Sequence, residues 1–225
     1  MKNSTAILIF SQEVSKDAAR KNLTPTKNSG VNHLIFNQLN SFVGRTAASS
    51  NLSVFYSNQL IEDSKSGFGK QLSAAIQAVF KKGFEKVICV GNDCPALSKI
   101  QILDAAEKLQ LANSVLGPDQ RGGVYLLGVT KNTFNAESFE NIAWQSGMML
   151  GSYLKQFANQ NISFLETLTD IHTFKELQAY SSSRYFIRYL LQFIEKSLSK
   201  KTFKFSYLFD SQIIRFSSLR APPVY

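Results

Sequence analysis

Lys86-Val-Ile-Cys-Val-Gly-Asn-Asp-Cys-Pro-Ala-Leu-Ser-Lys-Ile-Gln101 decides how the rest of the chain reads. Lys86 to Val90 is a short, continuous apolar run of the kind that forms a strand covered on both faces. Ser98 and Gln101 have the spacing of a helix capping box, so a helix begins just after Leu97. Gly91 to Leu97 is therefore a strand-to-helix connection with one carboxylate, Asp93, at its centre. In open α/β sheets, ligands bind at the C-terminal edge of the strands. A carboxylate held there suits a hard divalent cation and the phosphates it carries. The competing reading is an Asp that serves only the turn, through local hydrogen bonds, and for an isolated turn this is the commoner case.

Outward from this stretch, apolar runs alternate with amphipathic ones. Thr5–Ser11, Leu52–Ser57, Asn113–Leu116, Val124–Val129 and Ile162–Leu165 predict further strands. Val31–Phe42, Phe68–Lys82, Ser98–Gln110 and Met148–Asn159 carry helical periodicity. Gly83 stands where a helix C-terminus needs glycine. His33 falls off its helical stripe and reads as a surface residue. Thr173 and Glu176 form a second capping box. The alternation predicts a three-layer α/β domain with a mainly parallel sheet.

Composition agrees. The chain has 225 residues, 44% hydrophobic and 18% charged, which describes a globular domain with a proper core and excludes disorder. No apolar run reaches the roughly 20 residues of a membrane span. Met1 to Phe10 lacks a small-residue cleavage site and reads as the first strand, so a cytoplasmic location is expected. Cys89 and Cys94 read as reduced thiols, without the partners a disulfide framework or zinc site needs. The net charge is +9. From Ser181 onward, Arg184, Arg188, Lys196, Lys200, Lys201, Lys204, Arg215 and Arg220 stand against Glu195 and Asp210. Such a tail could touch nucleic acid or anionic lipid. No recognition motif accompanies it, so a solvated surface is favoured and nucleic-acid binding is not expected.

A second stretch, Leu116-Gly-Pro-Asp-Gln-Arg-Gly-Gly-Val-Tyr-Leu-Leu-Gly-Val129, completes a resemblance. From about Ala6 to about Leu177 the chain resembles the DUF2064 family, a glycosyltransferase-like, radical-SAM/selenodomain-associated transferase group with a GT-A (nucleotide-diphospho-sugar transferase) fold. The family has Gly-(Ser/Thr)-Asp-Cys-Pro-x-Leu, matched by Gly91 to Leu97. It also has Gly-Pro-Ala-x-Asp-Gly-Gly-Tyr-Tyr-Leu-(Ile/Leu)-Gly, matched in the same order by Gly117 to Gly128. The resemblance implies a GT-A-like α/β/α domain over residues 1–180. Residues 181–225, outside the resemblance, are expected to form an appendage: a helix from Arg184 to Leu198, then a row of Phe203, Phe205, Tyr207 and Phe209 that alternates as a strand, with Ile214–Leu219 as its candidate hairpin partner. Its aromatic face is expected to bury against the core or against a partner chain, in a homodimer.

The resemblance also implies a reaction: glycosyl or nucleotidyl transfer from a nucleotide or nucleotide-sugar ligand. Asp93 is the implied catalytic residue, and Asp93, Asp170 and His172 the implied holders of a divalent cation, Mn²⁺ or Mg²⁺. The first loop would offer Ser11, Gln12 and Arg20 to the nucleotide, with Lys16 and Lys21 as further charges. Gly69, Gly91 and Asn92 follow, then Arg121, Gly122 and Gly123 of the second motif. Trp144 resembles a family tryptophan near the acceptor site, and core packing is its other reading.

This chain departs from the family at several of these places. The first-loop glycine and proline are Asp17 and Val14, an arginine is Gln71, the acid before the paired glycines is Arg121, and a second downstream acid is His172. Asp119 is a candidate substitute for the displaced acid, and Arg121 a candidate partner for a diphosphate. Imidazole favours softer divalent metals such as Mn²⁺ or Zn²⁺ over Mg²⁺; alternatively the site holds no cation. Two functional expectations follow: an active transferase, and a catalytically degenerate nucleotide-binding or regulatory module on the same fold.

Overall fold

The computed structural model describes residues 4–11, 14–26, 28–61, 66–179 and 185–198. Six strands, β1 (Thr5–Ile9), β2 (Ser53–Tyr56), β3 (Lys86–Val90), β4 (Ser114–Pro118), β5 (Val124–Thr130) and β6 (Ile162–Phe164), form one sheet in the order β2-β1-β3-β5-β4-β6. β5 runs antiparallel to both of its neighbours, and the other pairings are parallel. The sheet is therefore mainly parallel, as the alternation of runs predicts.

The two-residue period of a strand sends alternate side chains to opposite faces. Ala6, Leu8, Val87 and Cys89 enter one core with Leu72, Ala75, Ile76 and Val79 of α3 (Phe68–Lys81) and with Met149 and Tyr153 of α6 (Met149–Gln156). Ile7, Ile9, Ile88 and Val90 enter the other, with Val43 and Ala47 of α2 (Ser29–Ala48) and Ile102 and Ala105 of α4 (Lys99–Lys108). Helices thus cover both faces, which is why β1 and β3 are apolar after their first residues, Thr5 and Lys86. The layering is α/β/α. No helix among the described residues is long and apolar enough to cross a membrane.

Local signals place the helix ends. Ser98 and Gln101 form the capping box of α4. Asn28 caps α2 by accepting a hydrogen bond from the Val31 amide. Gly83 follows α3 with φ of 91°. Three details differ from the sequence reading. The first loop, expected to be a cradle, contains α1 (Val14–Arg20). Its Val-Ser-Lys-Asp-Ala-Ala-Arg lacks the glycine and proline that break helices, and the Ala18-Ala19 pair favours one. Leu34, which the helical period of Val31–Phe42 puts on the apolar stripe with Val31 and Ile35, is 38% exposed. α2 also runs past Phe42 to Ala48.

The remaining helices are α5 (Ala136–Glu140), α7 (Phe174–Ala179) and α8 (Tyr185–Leu198). α8 buries Leu190, Phe193 and Ile194 in a third cluster with Ile35 and Leu39 of α2 and Leu177 of α7. The helical part of the expected appendage therefore docks on the core. The hinge at Ser181–Ser183 and the Phe203–Phe209 row lie outside the described residues. Because Phe193 is nearly fully buried, Phe193→Ala should cost about 3 kcal/mol, read as a fall in Tm of roughly 6–12 °C. A Tm within about 2 °C of wild type would mean that packing of Phe193 contributes little to the core.

Candidate functional site

A cleft of about 560 Å³ opens beyond the C-terminal ends of β1 and β3. Because β5 is antiparallel, its entrance, the Gly122–Gly123 turn, reaches this same edge. Asp119, just after β4, bridges to Leu168 and brings the segment after β6 alongside. The amide of Ile171 then donates to the Asp93 carbonyl at 2.8 Å. Residues far apart in sequence, Asp93 and the Asp170–His172 segment, are thus clamped together by backbone.

Three side chains meet there. Asp93, Asp170 and His172 each present a ligand atom, all within 4.8 Å of one another. That is close to the span of two donors on opposite sides of one cation, at about 2.0–2.2 Å each. Asp170 is only 7% exposed, and its Oδ1 is buried without a hydrogen-bond partner. Burial, reinforced by the charges of Asp93 and Asp119, pushes its carboxyl up to about 8. Burial first, then the charge of Lys21, lowers His172, which keeps the imidazole neutral and its lone pair available. Crowded carboxylates, one orphaned oxygen and a neutral imidazole form a donor set that fits a divalent cation.

Basic groups ring the acids. The Lys21 ammonium pairs with Asp93 Oδ2. Arg20 donates to Gln145 Oε1 at 2.9 Å, across from the end of α1; Gln145 itself has φ of 58°. Arg121 lines the cleft, and its guanidinium pairs with Glu176. The other oxygen of Glu176 accepts from the His172 amide at 2.7 Å and the Thr173 amide at 2.9 Å. The Thr173 hydroxyl accepts from the Glu176 amide, completing the second capping box. Arg121 is therefore tied to the segment that carries His172. Asp119 shapes the paired-glycine turn: its Oδ1 accepts from the amides of Arg121 at 2.6 Å and Gly123 at 2.9 Å.

Asn92 is buried and braces the turn, donating to Asp17 Oδ2 and Asn40 Oδ1, both at 2.8 Å. Burial is the main cause that raises Asp17, against the Asn92 hydrogen bond. The opposite wall is aromatic. Phe10 meets Phe68 edge-on at 5.1 Å, and Phe68 meets Trp144 at 5.6 Å. Trp144 is half-buried, and its Nε1 donates to the Phe139 carbonyl.

The structure brings Arg20, Gly91, Asn92, Asp93, Arg121, Gly123, Trp144, Asp170 and His172 to this cleft. Gly122 forms the turn behind it, with φ of 82°. Gly69 is outside the lining: it lies under Trp144, where a Cβ would come within 2.6 Å of the indole. Ser11 is also outside, its carbonyl accepting from the Ser57 hydroxyl. Gln12 lies outside the described residues. Sequence reading missed the Lys21–Asp93 pairing, the Arg121–Glu176 tie and the Phe10–Phe68 wall. The capping-box spacing at Thr173 and Glu176 was the one signal that Glu176 is anchored here.

Residues 39–146 match the sequence family described as "Uncharacterized protein conserved in bacteria (DUF2064)". No curated protein matches the chain. Among solved structures, the fold is similar to that of a candidate nucleotide-diphospho-sugar transferase from Desulfovibrio desulfuricans G20. That likeness has 18% identity and a TM-score of 0.71, over 86% of this chain and 98% of that one. A homologue of Mycobacterium tuberculosis Rv0371c from Mycobacterium sp. strain JC1 is similar at 10% identity and a TM-score of 0.49, over 87% of this chain and 100% of that one. Rv0371c of M. tuberculosis H37Rv, in complex with manganese, is similar at 11% identity and a TM-score of 0.47, over 80% of this chain and 98% of that one. The two mycobacterial likenesses are too slight to bear on the site.

Proposed function

From the DUF2064 match over residues 39–146 and the cleft's chemistry, we propose a transferase that uses a nucleotide-activated donor. The group transferred is a glycosyl or nucleotidyl group. One observation carries the reading: Asp93, Asp170 and His172 converge at the C-terminal edge of the sheet, with a buried Asp170 oxygen left unpartnered. A divalent cation bound there would neutralise charge on the departing diphosphate. The protein's own groups hold the substrate. Arg20 and Lys21 stand on the α1 side of the cleft as cations for phosphate. Phe10, Phe68 and Trp144 offer an apolar wall on which a base or a sugar face can stack. Gly123 lines the cleft, its amide held by Asp119 Oδ1 and its carbonyl by the Asp119 amide. Cys89 and Cys94, both buried and free, suit a reducing cytoplasm. The Phe203, Phe205, Tyr207 and Phe209 row, outside the described residues, is proposed to bury its aromatic face against the core or a second copy of the chain.

A second reading, the catalytically degenerate nucleotide-binding or regulatory module, is favoured by one feature. The two cations nearest the acids, Lys21 and Arg121, are already engaged by Asp93 and Glu176. One experiment separates the readings. Thermal unfolding of wild-type protein is followed with a panel of nucleotides and nucleotide sugars, with and without Mn²⁺, Mg²⁺ and Zn²⁺, and each stabilising donor is then incubated with the protein and assayed for breakdown. Stabilisation that needs both nucleotide and cation is expected, about 2.7 kcal/mol at a ligand concentration 100 times Kd. Binding without turnover of any bound donor selects the degenerate module. No binding with any cation rejects the transferase.

A further inference from the structure

We infer that Lys21 is a built-in counter-ion of Asp93 which a divalent cation must displace, so that lysine and cation are alternative occupants of one carboxylate. This rests on the cation-site reading above. The Lys21 ammonium pairs with Asp93 Oδ2, and both side chains are largely buried, at 22% and 23% exposure. Asp93 is at the same time a member of the cation-binding trio.

The lysine is held there by its backbone. Its amide donates to the Asp17 carbonyl at 3.1 Å, and its carbonyl accepts from Asn32 Nδ2 at 2.7 Å. Asn32 is itself buried, and it also donates to the Ala18 carbonyl and accepts from the Leu23 amide. The C-terminal end of α1 is therefore locked to α2, with the four-carbon lysine stem reaching from this anchor to Asp93. The ammonium's charge is felt across the trio, acting on Asp170 and His172 as well as on Asp17.

Two cations cannot share this carboxylate without mutual repulsion. Like charges this close repel even at the effective dielectric of a protein surface, and a divalent ion doubles the repulsion. The incoming ion must therefore expel the ammonium. Lysine suits the exchange because its charge is a point on a flexible stem, whereas a planar guanidinium is committed by its geometry. Arg20 and Arg121 are so committed, to Gln145 and Glu176. A cation that arrives with a diphosphate brings the negative charge that the displaced ammonium can follow. Lys21 thus weakens the binding of bare cation and favours the cation that carries substrate.

The test compares Mn²⁺ affinity, without nucleotide, in wild type, Lys21→Met and Lys21→Arg. Isothermal titration gives the affinity, and Trp144, the only tryptophan, reports from the cleft itself. Lys21→Met keeps the stem and removes the charge. It should bind Mn²⁺ about tenfold more tightly than wild type, a difference of about 1.4 kcal/mol. Lys21→Arg keeps the charge and should bind no more tightly than wild type. Tight binding by Lys21→Met where wild type binds none supports the inference in its strongest form. If wild type binds Mn²⁺ and Lys21→Met binds it no more tightly, the inference is wrong and the cation site stands. If Lys21→Arg gains as much as Lys21→Met, charge is not the cause and the inference is wrong. If none of the three binds Mn²⁺, the inference and the cation-site reading fall together.

Discussion

Asp93→Ala and Asp170→Asn are both expected to abolish cation-dependent nucleotide binding, yet to move the stability of the free protein differently. Each removes one of three converging ligands. Their surroundings differ. The Asp170 carboxyl is buried and pushed up to about 8, against about 3.9 in an unfolded chain. The folded state therefore holds this proton more tightly than the unfolded chain does. Its contribution to stability is complete below about pH 4 and is lost as the pH rises through about 8. Asparagine has nearly the same shape and never ionises. Asp170→Asn should accordingly be more stable than wild type at pH 9, by on the order of 2 kcal/mol, or roughly 4–8 °C in Tm. The gap should close towards pH 4. Asp93 is instead paired with Lys21. Its removal relieves Asp170 of a neighbouring charge and strands the lysine, so Asp93→Ala should stay within about 1 kcal/mol of wild type. Thermal unfolding between pH 4 and pH 9, with nucleotide titrations in Mn²⁺, reads both effects. A Tm for Asp170→Asn that tracks wild type across the range would show that the carboxylate is not strained by its burial. Cation-dependent binding that survives either substitution would remove that residue from the site.

Gly122→Ala should be the most destabilising single methyl in the cleft. Gly122 has φ of 82°, and a Cβ there would stand 2.1 Å from the Gly147 carbonyl oxygen. The Gly122 carbonyl also accepts from the Leu150 amide at 2.9 Å, which ties the paired-glycine turn to the start of α6. Neither side can retreat without breaking that tie. A left-handed conformation alone costs an L-residue about 1–2 kcal/mol, and the clash with backbone adds to it. A loss of about 3 kcal/mol or more is expected, or roughly 6–12 °C in Tm. Gly83→Ala is the matched control: φ there is 91°, but nothing lies within 4 Å of the added Cβ. It should lose only the conformational part, about 1–2 kcal/mol. Equal losses in the two variants would show that the Gly147 contact does not constrain the turn.

Much of the fold is legible in the sequence because the forces that set it are local. A strand covered on both faces must be apolar along its buried length, and Ala6–Ile9 and Val87–Val90 are. Capping boxes act over three residues, so Ser98–Gln101 and Thr173–Glu176 announce their helices directly. The turn that carries Asp93 is equally local, between a strand and a capping box, whereas Asp170 and His172 are marked as site residues by the family resemblance alone. Even the first loop is local in origin: having lost its glycine and proline, it coils into α1. What the chain alone does not reveal is who meets whom at the sheet edge. Lys21 and Asp93 are 72 residues apart, and Arg121 and Glu176 are 55 apart. Those partnerships exist because β5 runs backwards, delivering the Gly122 turn to the edge where β1, β3 and β4 end. The charge Arg121 brings, in place of an acid, acquires its meaning only from Glu176. Asp170 likewise has an ordinary carboxylate in the sequence. Its raised proton affinity is a property of burial beside Asp93 and Asp119, and burial is decided by the packing of the whole domain.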